Sequence, residues 1–256
     1  MAEHDDFIQA LTRSYQDYGY VHIRELLTPA AATGLRRLLV ETFAQAARHP
    51  GDIYDHPRLG DVRIEIFNRY PQVWQTVFDS ALIDVLKVLL GEDFVLLPES
   101  AIHHRGYGTW HKDTDSQQKA GHTFHWDADC DIVQIALYCQ ANTEAFGGGL
   151  EVIPGSHRVD LRWYDEDLRG HRVPSAAGDL VIFNSRLDHK ACWPTQPVPP
   201  QEEKYAVFFM ASRNNDHAGR YLDFIRSRPS YGYLQDFSFP SALCRLAQGS
   251  GFTLLA

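Results

Sequence analysis

The sequence has no paired cysteines at ligand spacing, no long apolar run and no surplus of basic residues. Each absence excludes something. Cys130, Cys139, Cys192 and Cys244 show no CxxC pattern, so neither a zinc knuckle nor a disulfide framework is suggested. The longest apolar stretches, such as VLKVLL and AVFFMA, suit core elements and fall well short of the ~20 residues that cross a bilayer. A formal charge of −9 argues against nucleic acid as the main partner, because phosphate binding needs a basic footprint. It argues equally against an anionic membrane surface. The opening MAEHDDFIQA lacks the basic and apolar regions of a secretory signal, and the expected compartment is a reduced cytosol. No repeat and no long low-complexity segment appears.

What is there fits a globular enzyme. A chain of 256 residues, 44% apolar, can bury one large core. We expect one domain over residues 1–256, in three parts: helical to about 91, β-rich from about 92 to 213, and helix and loop from 214 to 256. Thr28-Pro29 forms an N-cap and first-turn pair. From there Leu35, Leu38, Leu39, Phe43 and Ala46 recur at helical spacing. A second helical stretch runs from about Pro71 to Leu90, with Gly91 placed to end it. The texture then changes. FVLLPESAIHH, CDIVQIALYCQ, GLEVIPGSH, GDLVIFNS and KYAVFFMAS are short β-rich runs divided by Gly, Pro, Asn and Asp. They lie too close together for crossover helices, which favours an antiparallel sandwich or barrel. Helical propensity returns at HAGRYLDFIRSR.

Residues 108–131, GTWHKDTDSQQKAGHTFHWDADCD, contain His-x-Asp twice, at His111-Lys112-Asp113 and at His125-Trp126-Asp127. On an extended chain, residues two apart point to one side and can offer a nitrogen and an oxygen to one metal ion. Either pair alone is weak. His189, at the end of the predicted strand in GDLVIFNSRLDHKACW, supplies a third ligand. Two imidazoles and one carboxylate make the facial triad of non-haem iron(II) oxygenases, with positions left open for substrate and O₂.

TWHKD, GGGLEVIPGSH and GDLVIFNSRLDH, in this order, resemble the phytanoyl-CoA dioxygenase (PhyH-like) family of iron(II)/2-oxoglutarate oxygenases. YQDYGYVHIRELLTPAAATGLRRLL is also similar to that family's opening, so the resemblance spans roughly residues 10–212. It implies a double-stranded β-helix, or jelly-roll, core, in accord with the strand reading. It also implies Fe(II), 2-oxoglutarate and O₂ as cofactors, with His111, Asp113 and His189 as the metal ligands. In the family's pattern the first His-x-Asp follows a strand and a tryptophan, as Trp110-His111-Lys112-Asp113 does. His125, Trp126 and Asp127 are then expected on a loop near the mouth, as a substrate-contacting lid or a solvated acidic connector.

The family anchors the far carboxylate of 2-oxoglutarate with an arginine on the strand after the distal histidine, where a planar fork suits a carboxylate. This chain departs from that pattern. Lys204 stands where the match falls, and Arg213 is the other candidate. His103 is a candidate hydrogen-bond donor to the cosubstrate or a core histidine. Gly147-Gly148-Gly149 precedes a strand and reads as a tight turn rather than a phosphate loop. His157 reads as a turn residue, and Tyr231 and Tyr233 as packing.

The expected reaction is hydroxylation of a C–H bond of a small polar molecule, with succinate and CO₂ as co-products. Related enzymes that halogenate carry a small residue where Asp113 stands. Desaturation or cyclisation by the same oxidant is the alternative within the class. A non-catalytic cupin-like binding module and a zinc hydrolase are the rivals outside it. The substrate and the oligomeric state are not named by the sequence.

Overall fold

The computed structural model describes residues 2–45, 49–160 and 170–256. Helices α1 (Ala2–Tyr18) and α2 (Pro29–Ala44) flank strand β1 (Tyr20–Ile23). The predicted cap of α2 is present: Thr28 Oγ1 accepts from the Ala31 N–H at 3.3 Å, with Pro29 in the first turn. Leu35 and Leu39 are buried on its inner face, with Leu38 and Phe43 packed partly against the core. Ala46, expected on the same face, lies outside the described residues.

The N-terminal part is not all helical. β2 (Ile53–His56) and β3 (Gly60–Ile64) form a hairpin before the short α3 (Ile66–Arg69). The helix expected from Pro71 to Leu90 is two helices, α4 (Pro71–Val77) and α5 (Ser80–Leu90). They divide because Asp79 caps the second one, its carboxylate accepting from the Leu82 N–H at 3.0 Å. Gly91 ends α5 at a φ of 108°, as expected.

The five predicted strand segments are all present: β4 (Val95–His104), β5 (Ile132–Tyr138), β6 (Leu150–Val152), β8 (Leu180–Asn184) and β10 (Tyr205–Ser212). A short helix, α6 (Asp115–Lys119), lies between β4 and β5. β7 (His171–Arg172) and β9 (His189–Ala191) complete a small sheet in the order β7-β6-β9. The large sheet runs β1-β8-β5-β10-β4-β3-β2, with neighbours antiparallel. After it come α7 (Asp216–Arg226), α8 (Ser241–Ser250) and β11 (Thr253–Leu254), which pairs in parallel with β4.

The central strands read as largely apolar runs because both of their faces are covered. Val133, Ile135 and Leu137 of β5, with Leu180 and Ile182 of β8, join the helix-covered core. Ala136 and Tyr138, with Val181 and Phe183, turn to the other face and meet Leu150 and Val152 of the small sheet. Alternation with period 2 therefore sends one set to the helices and the other to the inside of the sandwich. This is a jelly-roll core with flanking helices.

Candidate metal centre and its cavity

His111 and His189 sit opposite each other in a reciprocal backbone pair. The His111 N–H donates to the His189 carbonyl at 3.0 Å, and the His189 N–H returns the bond at 2.9 Å. Their rings lie 4.2 Å apart between centroids. Each ring is oriented from behind: His111 Nδ1 donates to the Thr109 carbonyl at 2.8 Å, and His189 Nδ1 to the Leu187 carbonyl at 2.9 Å. A carbonyl only accepts, so both imidazoles carry a proton on Nδ1 and turn Nε2 inward. Asp113 Oδ1 lies 3.6 Å from both Nε2 atoms. Its Oδ2 is buried with no hydrogen-bond partner.

These three residues offer nitrogen, nitrogen and oxygen within 4.8 Å of one another. Burial pushes the Asp113 carboxyl up, and Glu99 and Asp115 add to the effect. Burial also holds the His189 imidazole well below its ordinary value. Two imidazoles whose Nδ1 hydrogen bonds are already made, and an orphaned buried carboxylate oxygen, are what a divalent cation would satisfy. The donor set fits iron(II).

Residues between the ligands lock the site from the far side. Lys112 points away from His111 and Asp113, and its ammonium pairs with Asp188 at 2.9 Å. Asp188 immediately precedes His189, so one ion pair ties both ligand segments together. Lys112 Nζ also donates to the carbonyls of Ser156 and Arg186, at 2.7 and 2.6 Å. Lys112 and Asp188 are both buried.

The inward face opens on a cavity of about 640 Å³ lined by all three donor residues, Lys204 and His103. Lys204 is 3% exposed and forms no ion pair among the described residues. Its ammonium donates to the Gly106 carbonyl at 2.8 Å, and burial pushes it down to about 8. Gly148, at a φ of 86°, passes so close that a side chain there would meet the Lys204 Cβ at 3.3 Å. The glycine run thus makes the expected turn, and that turn packs on Lys204. His103 stands edge-on to Phe208, held neutral by burial and by Lys204 and lowered to about 3.

Arg213 is at the opposite end of β10, paired with Asp131 at 2.9 Å, and lines a different cavity. It is not brought to the site. The second His-x-Asp is also elsewhere. His125 is 1% exposed on a 3-10 turn, and neither it, Trp126 nor Asp127 lines the metal cavity. Trp126 lies behind the site, with the Lys112 ammonium 5.8 Å from its ring centroid. Asp127 faces solvent near His217 and Arg220. Of the two readings of this loop, lid or solvated connector, Asp127 has the solvent-facing place of the connector, while Trp126 backs the site.

The wall expected from that loop comes instead from two other places. Arg58 and Leu59 arrive from the β2–β3 hairpin, and Arg228, Tyr231 and Tyr233 from the segment after α7. Glu99 of β4 completes it, accepting from Tyr231 Oη at 2.6 Å and from Tyr221 Oη. Tyr231 and Tyr233 do stack, at 6.0 Å, as the packing reading expects, but they also face the cavity. No short motif marks Glu99, and only its position beside Pro98 in a β run hinted at an irregular strand.

The phytanoyl-CoA dioxygenase (PhyH) family profile matches residues 15–192. The chain belongs to that family. Members are non-haem iron, 2-oxoglutarate-dependent oxygenases, and this chain is an enzyme of the class, with Fe(II), 2-oxoglutarate and O₂ as cofactors. Solved structures share the fold. EctD from S. alaskensis with 2-oxoglutarate and 5-hydroxyectoine is 18% identical, with a TM-score of 0.60 over 79% of this chain and 74% of that one. HygX from Streptomyces hygroscopicus with nickel and 2-oxoglutarate is 14% identical, with a TM-score of 0.60 over 80% and 87%. EvdMO1 is 14% identical with a TM-score of 0.62 over 81% of this chain, which spans 50% of that one. No curated protein matches the sequence. Among the described residues no helix is long and apolar enough to cross a membrane.

Proposed function

We propose that this PhyH-family chain hydroxylates a C–H bond of a small polar molecule, with succinate and CO₂ as co-products. His111, Asp113 and His189 hold the iron, and Lys204 holds the far carboxylate of 2-oxoglutarate. The observation that carries the reading is the buried Lys204 ammonium, which has no carboxylate partner among the described residues and faces the same cavity as the donor set. A buried cation without a counter-ion is costly to fold around. A dicarboxylate spanning from the donor set to Lys204 supplies the missing charge.

Iron(II) and 2-oxoglutarate, when bound, would supply the O₂ activation, coupled to oxidative decarboxylation of the cosubstrate. The protein's own residues do the rest. The Thr109 and Leu187 carbonyls keep both Nε2 atoms aimed inward. His103, neutral, is placed to hydrogen-bond the cosubstrate. The aromatic and aliphatic walls exclude water and hold the substrate against the centre. Residues 1–91, 92–213 and 214–256 each contribute to those walls, which supports reading the chain as one catalytic domain.

The test is anaerobic addition of iron(II) and 2-oxoglutarate, which should give a weak visible charge-transfer band. A metabolite screen for stimulated succinate formation then finds the substrate. With isotopically labelled O₂, label should enter both succinate and a hydroxylated product. An unsaturated, cyclised or chlorinated product without added oxygen would overturn the hydroxylase assignment.

A further inference from the structure

The large sheet has one irregularity at the cavity. β10 pairs Phe209 with Ser100 and then Ala211 with Leu96, so β4 carries extra residues between these pairs. Pro98 lies in that bulge, where a residue with no N–H to donate is tolerated. Glu99 is the last residue of that bulge, and Glu99, Ala101 and His103, spaced two apart, all line the cavity. His103 is at the Lys204 end. Glu99 is four residues further along, roughly 13 Å away at a strand's rise of about 3.3 Å per residue.

Glu99 is half-buried and forms no ion pair among the described residues. Both of its oxygens accept from phenols, Tyr231 and Tyr221. Arg228, a guanidinium on the same wall, is held 4.9 Å above the Tyr231 ring and forms no ion pair with Glu99. Tyr233 stacks beside Tyr231. The cavity end is thus a carboxylate set among aromatic faces, and both features attract an organic cation.

We infer that this end is a cation-recognition subsite, and that the substrate carries a protonated amine or other organic ammonium group seated against Glu99. The inference rests on the oxygenase reading above. Lys204 and the donor set are satisfied by 2-oxoglutarate and iron, which leaves Glu99 as the remaining carboxylate lining the cavity, with Arg228 held over the Tyr231 ring rather than paired with that carboxylate. The phenols aim the carboxylate; the substrate's ammonium group neutralises it.

The test uses anaerobic protein loaded with iron(II) and 2-oxoglutarate. Calorimetric titration compares alkylammonium ions, from methyl to hexyl and tetramethyl, with alcohols of matching carbon skeleton. At least one ammonium ion should bind about tenfold or more tightly than its alcohol, as expected for a charge-assisted contact at a half-buried carboxylate. Glu99→Gln should erase that preference while alcohol binding and the charge-transfer band persist. Tyr231→Phe removes one of the hydrogen bonds yet leaves the carboxylate, so the preference should survive. If Glu99→Gln does not fold, Glu99→Asp, which withdraws the charge by one methylene, should shrink the preference. No preference for any ammonium ion, or a preference that survives Glu99→Gln or is undiminished in Glu99→Asp, overturns the inference. Absence of the band in the unaltered protein would instead strike the oxygenase reading itself.

Discussion

The chain spells His-x-Asp twice within residues 111–127, and the two copies have opposite fates. At His111-Lys112-Asp113 the histidine forms an isolated antiparallel bridge with His189 just before a turn, and His111 and Asp113 both face the cavity while Lys112 points back. At His125-Trp126-Asp127 the chain takes a 3-10 turn, in which residues two apart do not share a face. His125 goes inward, Asp127 goes to solvent, and Trp126 backs the first copy through Lys112. The same two letters give a candidate donor pair in one place and a buttress in the other, and the backbone conformation differs between them. The same contrast runs along β10, where Lys204 at one end faces the cavity and Arg213 just past the other does not.

The sharpest way to break this comparison is to remove one residue from each copy. His111→Ala or Asp113→Ala should abolish iron(II) binding, whereas His125→Ala should keep it and lower the melting temperature, because a buried ring is lost. Equilibrium dialysis with iron(II) and a thermal melt read both effects. Metal loss in His125→Ala with retention in His111→Ala would reverse the assignment.

The two ends of β10 come next. Lys204→Ala should raise the Kd for 2-oxoglutarate about a hundredfold or more, since removing one partner of a buried pair costs on the order of 3–5 kcal/mol. Lys204→Arg should retain substantial binding, and Arg213→Ala should change it little. A large loss in Arg213→Ala alone would move the anchor.

The middle residues of the copies differ as well. Lys112→Met leaves Asp188 buried and unpaired, and should destabilise the protein by about 3–5 kcal/mol. Lys112→Met with Asp188→Leu should recover part of this, in a chemical-denaturation double-mutant cycle. Additive losses would show that the two residues are not coupled.

A smaller effect is set by pH. Burial depresses Lys204 to about 8, so the free protein carries the ammonium below that value and loses it above. Affinity for 2-oxoglutarate should therefore be full below about pH 8 and fall as pH rises through it, by up to about tenfold per unit. Lys204→Arg should flatten the profile. The smallest change belongs to the exposed acid of the second copy: Asp127→Asn should shift stability by no more than about 0.5 kcal/mol.

What the sequence revealed follows from how local each signal is. Thr28-Pro29, Gly91 and the apolar strand runs are decided by neighbouring residues and by period, and the structure has them as read. That His111, Asp113 and His189 lie together was legible from the His-x-Asp beside a tryptophan and a histidine at the end of a strand run. The break at Asp79 carried a signal too, a capping acid in the middle of a helical pattern, but the continuous apolar periodicity hid it. The β2–β3 hairpin was masked by its helical neighbours. Glu99 and the wall from Arg228 to Tyr233 were out of reach, because a bulge register and a returning C-terminal segment are long-range facts. The place of His125 to Asp127 was not legible, because the motif says nothing about whether its chain is extended.

The reciprocal backbone bonds between His111 and His189 have a thermodynamic consequence. The two imidazoles come from distant parts of the chain, and they converge only when β9 has closed against the His111 segment. An unfolded chain has no such convergence, so an ion bound there acts as a clip across a long loop and is linked to folding by mass action. Iron occupancy and cooperative unfolding are then one equilibrium: scavenging the metal loosens the closure of the sandwich, and loosening the closure releases the metal.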